Sequence, residues 1–209
     1  MSQTLSRKDI LSRSCLLTAR NGADAPFVRK LWADLTFMRA FHRLAPKLPI
    51  SEDQLVRILN TEYIAPVEKT RALHWVIRAP SGKPWGLMSL TDLTIQHGRA
   101  EVLLGVLPGA PFGMATAAML MLFQFYFNEM KFNKLYSLVF VDNVISLKAT
   151  LHLGFKQEGL FRQHTFDPER RCHVDVIQNG LLAEDAISER NIKLMERLLQ
   201  MRPVGTLRS

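Results

Sequence analysis

The stretch with the most chemical potential is 106–127, VLPGAPFGMATAAMLMLFQFYF. An apolar run ends in a Pro/Gly loop, and a helix then opens on small residues. The first amides of a helix have no partner inside it, and the helix dipole adds partial positive charge there. A loop feeding such an end is a cradle for an anion. Gly113, Met114, Ala115 and Thr116 supply the amides, and Gly113, Ala115 and Ala117 are small enough for a ligand to come close. The same pattern also arises from plain helix–strand packing, so the rest of the chain has to decide.

Metal chemistry finds no such pattern. The six histidines, His42, His74, His97, His152, His164 and His173, show no i, i+4 pairing, and Cys15 and Cys172 have no metal spacing. No metal is expected, and two isolated cysteines suit a reduced, cytoplasmic setting. The formal charge of +8 suits an acidic partner: nucleic acid, an anionic cofactor or an acidic carrier protein. The basic residues are spread out, with no Lys/Arg block and no interleaved aromatics, which argues against nucleic acid. The N-terminus is polar and lacks a signal-type apolar core. Residues 114–127 are apolar but fall short of the roughly 20 needed to span a bilayer.

The elements that must position this stretch follow from pattern. Residues 1–13 read as a loose arm and 14–20 as a short strand ending at Asn21-Gly22. Asp24 is placed to cap a helix reaching about Phe41, with Phe27, Leu31, Leu35 and Met38 on one stripe. A Pro-marked loop follows at 45–49. Ser51-Glu52-Asp53-Gln54 is a capping-box pattern that opens a second helix. Strands are expected at 73–78, 85–91 and 99–107, then the loop and the apolar helix, then a strand at 135–141. A short helix at 145–153 stops at Gly154, strands follow at 155–165 and 172–178, and a last helix covers 184–201. This order implies a mixed α/β sheet: an antiparallel meander first, locally parallel pairing after it. The division is an arm at 1–13, one domain at 14–183, and an appended helix and tail at 184–209.

Downstream of the loop the chain resembles the GNAT superfamily of N-acetyltransferases, in particular the RimJ/RimL-like branch that acetylates ribosomal-protein N-termini. The residues that carry the resemblance are Asn143-Val-Ile-Ser146, Leu153-Gly154-Phe155 and Glu158-Gly159-Leu160-Phe161-Arg162. Asp92, Ala100-Glu101, Gly105, Asp175 and Leu181-Leu182-Ala183 also fit. The resemblance implies a GNAT-like acyltransferase fold with splayed central strands, here 99–107 and 135–141, and acetyl-CoA bound in the gap. It implies that backbone groups near Val106 and Leu107 hold the pantetheine arm. The amides of Gly113, Met114, Ala115 and Thr116 would face the pyrophosphate. Asn143 would bond the arm, Ser146 would meet the leaving thiolate, and Glu101 stands where many members place a general base. The chemistry implied is direct attack of a primary amine on the thioester, which needs a base to take the amine's proton.

The loop departs from the family's Arg/Gln-x-x-Gly-x-Gly/Ala pattern. Here it reads Ala110-Pro111-Phe112-Gly113-Met114-Ala115, and Pro111 has no N–H to donate. The tyrosine that many relatives use as general acid is replaced by Thr150. Three readings stay open: an acetyl-CoA-dependent N-acyltransferase, the same chemistry with an acyl-phosphopantetheine donor on an acidic acyl carrier protein, and a non-catalytic GNAT-like binding module. The acceptor, a small amine or a protein N-terminus, would be shaped by 24–63 and 166–171. Phe37, Phe41, His42 and Trp75 are candidates for its walls, and Asp34, Glu52, Asp53 and Glu62 for attracting the amine. The last helix is a candidate homodimer contact.

Overall fold

The computed structural model describes residues 7–42, 51–167 and 170–200. One sheet contains β1 (Ile10–Leu11), β2 (Leu16–Ala19), β3 (Leu73–Arg78), β4 (Pro84–Thr94), β5 (Arg99–Val106), β6 (Lys134–Phe140), β7 (Lys156–Asp167) and β8 (Cys172–Leu182). Their spatial order is β1-β2-β3-β4-β5-β6-β8-β7. The helices are α1 (Ala25–Ala33), α2 (Leu35–Phe41), α3 (Glu52–Ile64), α4 (Val67–Thr70), α5 (Met114–Phe123), α6 (Val144–His152), α7 (Ala183–Ala186) and α8 (Glu189–Leu199). This is the mixed α/β sheet that the element order implies.

The feature that makes a site is the junction of β5 and β6. They are parallel and pair only from Arg99↔Lys134 to Glu101↔Tyr136. Past Glu101, β5 stays with β4 as far as Gly86↔Val106, and β6 stays with β8 as far as Phe140↔Val176. Each strand is held on its outer side, so the inner edges part. The Leu107 amide donates to Trp85 O at 2.8 Å, so strand alternation turns the backbone groups of Val102, Leu104 and Val106 toward the gap.

Helices cover both faces. On one, α5 lies against Ala100, Val102, Leu135 and Leu181. Every residue of Ala117–Phe123 is buried, which an apolar-all-round helix requires. The helix runs on as a π-helical turn, Gln124–Glu129. On the other face α1, α2 and α3 pack through Val28, Leu31, Phe37, Phe41, Leu55 and Leu59 against Val76 and Leu87.

Several elements differ from the sequence expectation. Residues 10–11, read within a loose arm, pair with 16–17, and Trp75 Nε1 donates to Lys8 O at 2.9 Å. The single helix expected to Phe41 breaks at Asp34, whose ψ of 99° is extended and whose carboxylate accepts from Phe37 N at 3.0 Å. Asp24 is not a side-chain cap: it closes a capping box with Asn21 one turn earlier and pairs with Arg78. Ser51 behaves as its pattern implies, with Gln54 N donating to Ser51 Oγ at 3.2 Å and Ser51 N to Gln54 Oε1 at 3.0 Å. β8 inserts between β6 and β7, so β6–α6–β7 makes no adjacent parallel pair. The last helix breaks at 187–188 into α7 and α8. Met195 and Leu199 of α8 are buried in the α5 core, so that stripe is used within the chain. The loop expected at 45–49 lies outside the described residues.

Candidate active site

A cleft of about 630 Å³ opens where β5 and β6 part. Glu101, Ala115, Thr116, Asn143 and Ser146 line it together, although they come from β5, α5, the turn after β6, and α6. Val106, Leu107, Gly113 and Met114 do not line it. The Leu107 amide is spent on β4, as above. Met114 is 4% exposed, and its amide donates to Pro111 O at 3.1 Å. Both amides are thus bonded within the chain. Gly113 holds the left-handed φ of +78° that glycine allows, and Leu198 of α8 stands 3.2 Å from where a Cβ would be. The first helical bond of α5 is Ala117 N to Gly113 O at 2.8 Å, so Ala115 and Thr116 are the helix-start amides left on the cleft wall.

Asn143 caps α6: its Oδ1 accepts from Ser146 N at 3.1 Å. That fixes the start of the helix and leaves the Nδ2 group as a donor. The Ser146 hydroxyl stands on the same wall. Gly154, at φ +95°, ends this helix as its pattern implies.

Glu101 is half-buried, and Thr91 Oγ1 donates to its carboxylate at 3.2 Å. Burial raises its pKa above the usual Glu value. The neighbouring Asp92 charge adds to the rise, and bonds from Thr91 and the Leu138 backbone oppose it. Asp92 sits at a bulge in β4 with φ +45° and accepts from Tyr136 Oη at 2.7 Å. Tyr136 is the parallel partner of Glu101, so β4, β5 and β6 converge on this carboxylate. A carboxylate held in this way takes a proton more readily than an exposed one.

Residues 13–156 match the family model of the acetyltransferase (GNAT) domain. This chain belongs to the GNAT acetyltransferase family. An N-acetyltransferase of Bacillus subtilis (strain 168), YoaA, is 25% identical over 118 residues, 56% of this chain and 66% of that relative, just under two thirds of its length. The crystal structure of spermidine N-acetyltransferase from Vibrio cholerae, in complex with CoA and spermine, is 20% identical. It superposes with a TM-score of 0.72 over 84% of this chain and 99% of that one. Another acetyltransferase crystal structure, 20% identical, covers 97% of this chain and 100% of its own with a TM-score of 0.74. At such identities the structures speak for the fold.

The other end of the GNAT cleft is made by the last turn of α2 and by β7. Phe41 and His42, two of the residues named above as candidate walls, line it, and Thr150 lines it too. Phe37 and Trp75 are core instead: Phe37 packs on Gly105, and Trp75 is 1% exposed. None of Asp34, Glu52, Asp53 and Glu62 lines the cleft. Asp34 caps α2, Glu52 pairs with Arg29 at 3.6 Å, and Glu62 pairs with Arg20 at 2.6 Å. Arg39, Ser137, Lys148 and His164 also line the cleft, and no motif flagged them. Strand alternation places Ser137 on the α5 side, but a strand must be aligned with its neighbours before that side is known.

Proposed function

We propose that this GNAT domain transfers an acetyl group from acetyl-CoA to a primary amine by direct attack on the thioester. The observation that carries this is Glu101, a half-buried carboxylate of raised pKa on the wall of the cleft that also holds Asn143 and Ser146. The chain fits the donor at several points. The inner edge of β5 offers the backbone groups of Val106 to an amide-bearing arm. Ser137 Oγ is buried without a hydrogen-bond partner beside the gap. Ala115 and Thr116 present helix-start amides to phosphate. Acetyl-CoA supplies the thioester carbonyl. Glu101 takes the amine's proton, directly or through a water, Asn143 Nδ2 bonds the arm, and Ser146 Oγ–H bonds the departing sulfur. The free Cys15 and Cys172 suit a reduced, cytoplasmic setting.

Calorimetric titration with acetyl-CoA and with desulfo-CoA tests the donor. Micromolar binding of both supports the reading, and no heat at millimolar ligand sinks it. A second donor reading follows from the loop itself. With Met114's amide spent and Leu198 against Gly113, the phosphate cradle is smaller than the family pattern implies. An acyl-phosphopantetheine on an acidic carrier protein has one phosphate and no ADP, and it loses less by that change. Acyl transfer from a loaded carrier, with none from acetyl-CoA, establishes it.

A further inference from the structure

Resting on the transferase reading, we infer that the donor pocket takes, besides acetyl, acyl groups that carry a neutral hydrogen-bonding atom such as a hydroxyl, and that Ser137 and Asn179 select these over plain alkyl groups of the same length. Unpaired buried atoms carry this. Among the described residues, Ser137 Oγ and both polar atoms of Asn179, Nδ2 and Oδ1, find no hydrogen-bond partner. Ser137 is 7% exposed and Asn179 is 0% exposed. The two are register partners across β6 and β8. The pair Leu135↔Leu181, two residues along, lies in the α5 core, so alternation turns Ser137 and Asn179 to that same side.

Their place makes them a ligand site. β5 and β6 pair for the last time at Glu101↔Tyr136, so Ser137 is the first β6 residue past the vertex of the gap. It lines the cleft, with the apolar Met119, Leu153 and Phe155 on the same side. Asn179 stands next to it on β8, on the side of β6 away from β5. The amides of Ala115 and Thr116 follow the open end of β5, so a donor arm held there runs down the gap and brings its acyl end to the vertex. Glu101 shares the other face with Gly105, under α2, so the amine and the tail of the acyl group lie on opposite faces of the sheet. Buried polar groups are almost always paired, and the neighbouring positions on this face hold the apolar Leu135, Val139 and Leu181. A serine and an asparagine in their midst are explained by a partner that the ligand brings. A hydroxyl and an amide both donate and accept, which matches a hydroxyl on the acyl group. Both are neutral, so they do not offset the desolvation of a carboxylate. The transfer itself is unchanged: the amine nitrogen bonds the thioester carbon, Glu101 takes the amine's proton, and the C–S bond breaks with its electron pair going to sulfur.

The test titrates the full chain calorimetrically with two isosteric pairs, glycolyl-CoA against propionyl-CoA and 3-hydroxypropionyl-CoA against butyryl-CoA, with acetyl-CoA alongside. In at least one pair the hydroxyacyl thioester should bind about tenfold or more tighter than its alkyl partner, because the alkyl group leaves the buried groups unpaired. The pair that shows the difference gives the depth of the contact. Ser137→Ala and Asn179→Leu should each reduce the preference, and the double variant should abolish it. Each substitution removes unpaired buried atoms, so Tm should hold or rise, and thermal melting checks that. Equal binding within both pairs, the result if an ordered water alone satisfies these atoms, overturns the inference and leaves the transferase reading standing. A preference that survives the double variant does the same. No heat with any of these thioesters at millimolar ligand overturns both.

Discussion

Exchanging Glu101 for Gln separates its charge from its shape. The amide is nearly isosteric, and its carbonyl can still accept from Thr91 Oγ1, which donates to the native carboxylate at 3.2 Å. Packing is thus retained while the base is lost. A positioned general base contributes about 10²–10⁴ in rate, so kcat should fall by that factor. The pH dependence is a second readout. Burial lifts the Glu101 pKa, so native activity should fall on the acid side through a midpoint above the ordinary ~4.3 for Glu. The Gln variant should lack that limb. Stability supplies a third readout. A carboxylate with a raised folded-state pKa contributes stability below its unfolded pKa and loses it as the pH rises through the folded value. At pH 7 the charged form is the disfavoured one, so removing it should leave Tm level or raise it. The assay is thiol release across pH with a responsive amine, paired with calorimetric melting. A loss below tenfold with the acid limb intact would refute the assignment. A large fall in Tm would refute the account of why the pKa is raised.

Two predictions concern the frame of the site. Gly86→Ala puts a Cβ onto the Gly105 carbonyl oxygen and 2.9 Å from Val106 Cα; both are backbone, so β4 and β5 must separate beside the gap. Overpacking costs about 1–3 kcal/mol, and a backbone clash sits at the upper end, so Tm should drop by about 6–12 °C; a drop under 2 °C contradicts the packing. Asn191→Ala removes the bonds from Nδ2 to Leu153 O at 2.9 Å and Ala186 O at 3.2 Å, which tie α8 to the end of α6. Leaving buried carbonyls unpaired costs about 1–3 kcal/mol, and a variant that melts with the native protein would show that α8 is held by its apolar side alone.

Local signals carried most of the element order. The capping box at Ser51, the stop at Gly154, the Pro/Gly loop before Met114 and the all-apolar helix each depend on a few adjacent residues, and each was legible from the sequence. So was the family resemblance, because Asn143–Arg162 is contiguous. What was not legible depends on partners far along the chain. Ile10–Leu11 is a strand because β2 has an open edge, which the two residues alone do not announce. The break at Asp34 is the one local exception: its side chain accepts from Phe37 N, against a sequence stripe that continues through it. The parting of β5 and β6 follows from where β4 and β8 grip their outer sides. The amide of Leu107 looked available until strand pairing gave it Trp85 O. Arg39 reached the cleft wall only because α2 packs over Gly105. Most of the elements, their order and the family follow from residues close together in the chain, since short-range capping, periodicity and contiguous motifs are local physics. Tertiary structure alone decided which groups face the gap and which are already bonded, since that depends on strand register and on contacts between residues distant in sequence.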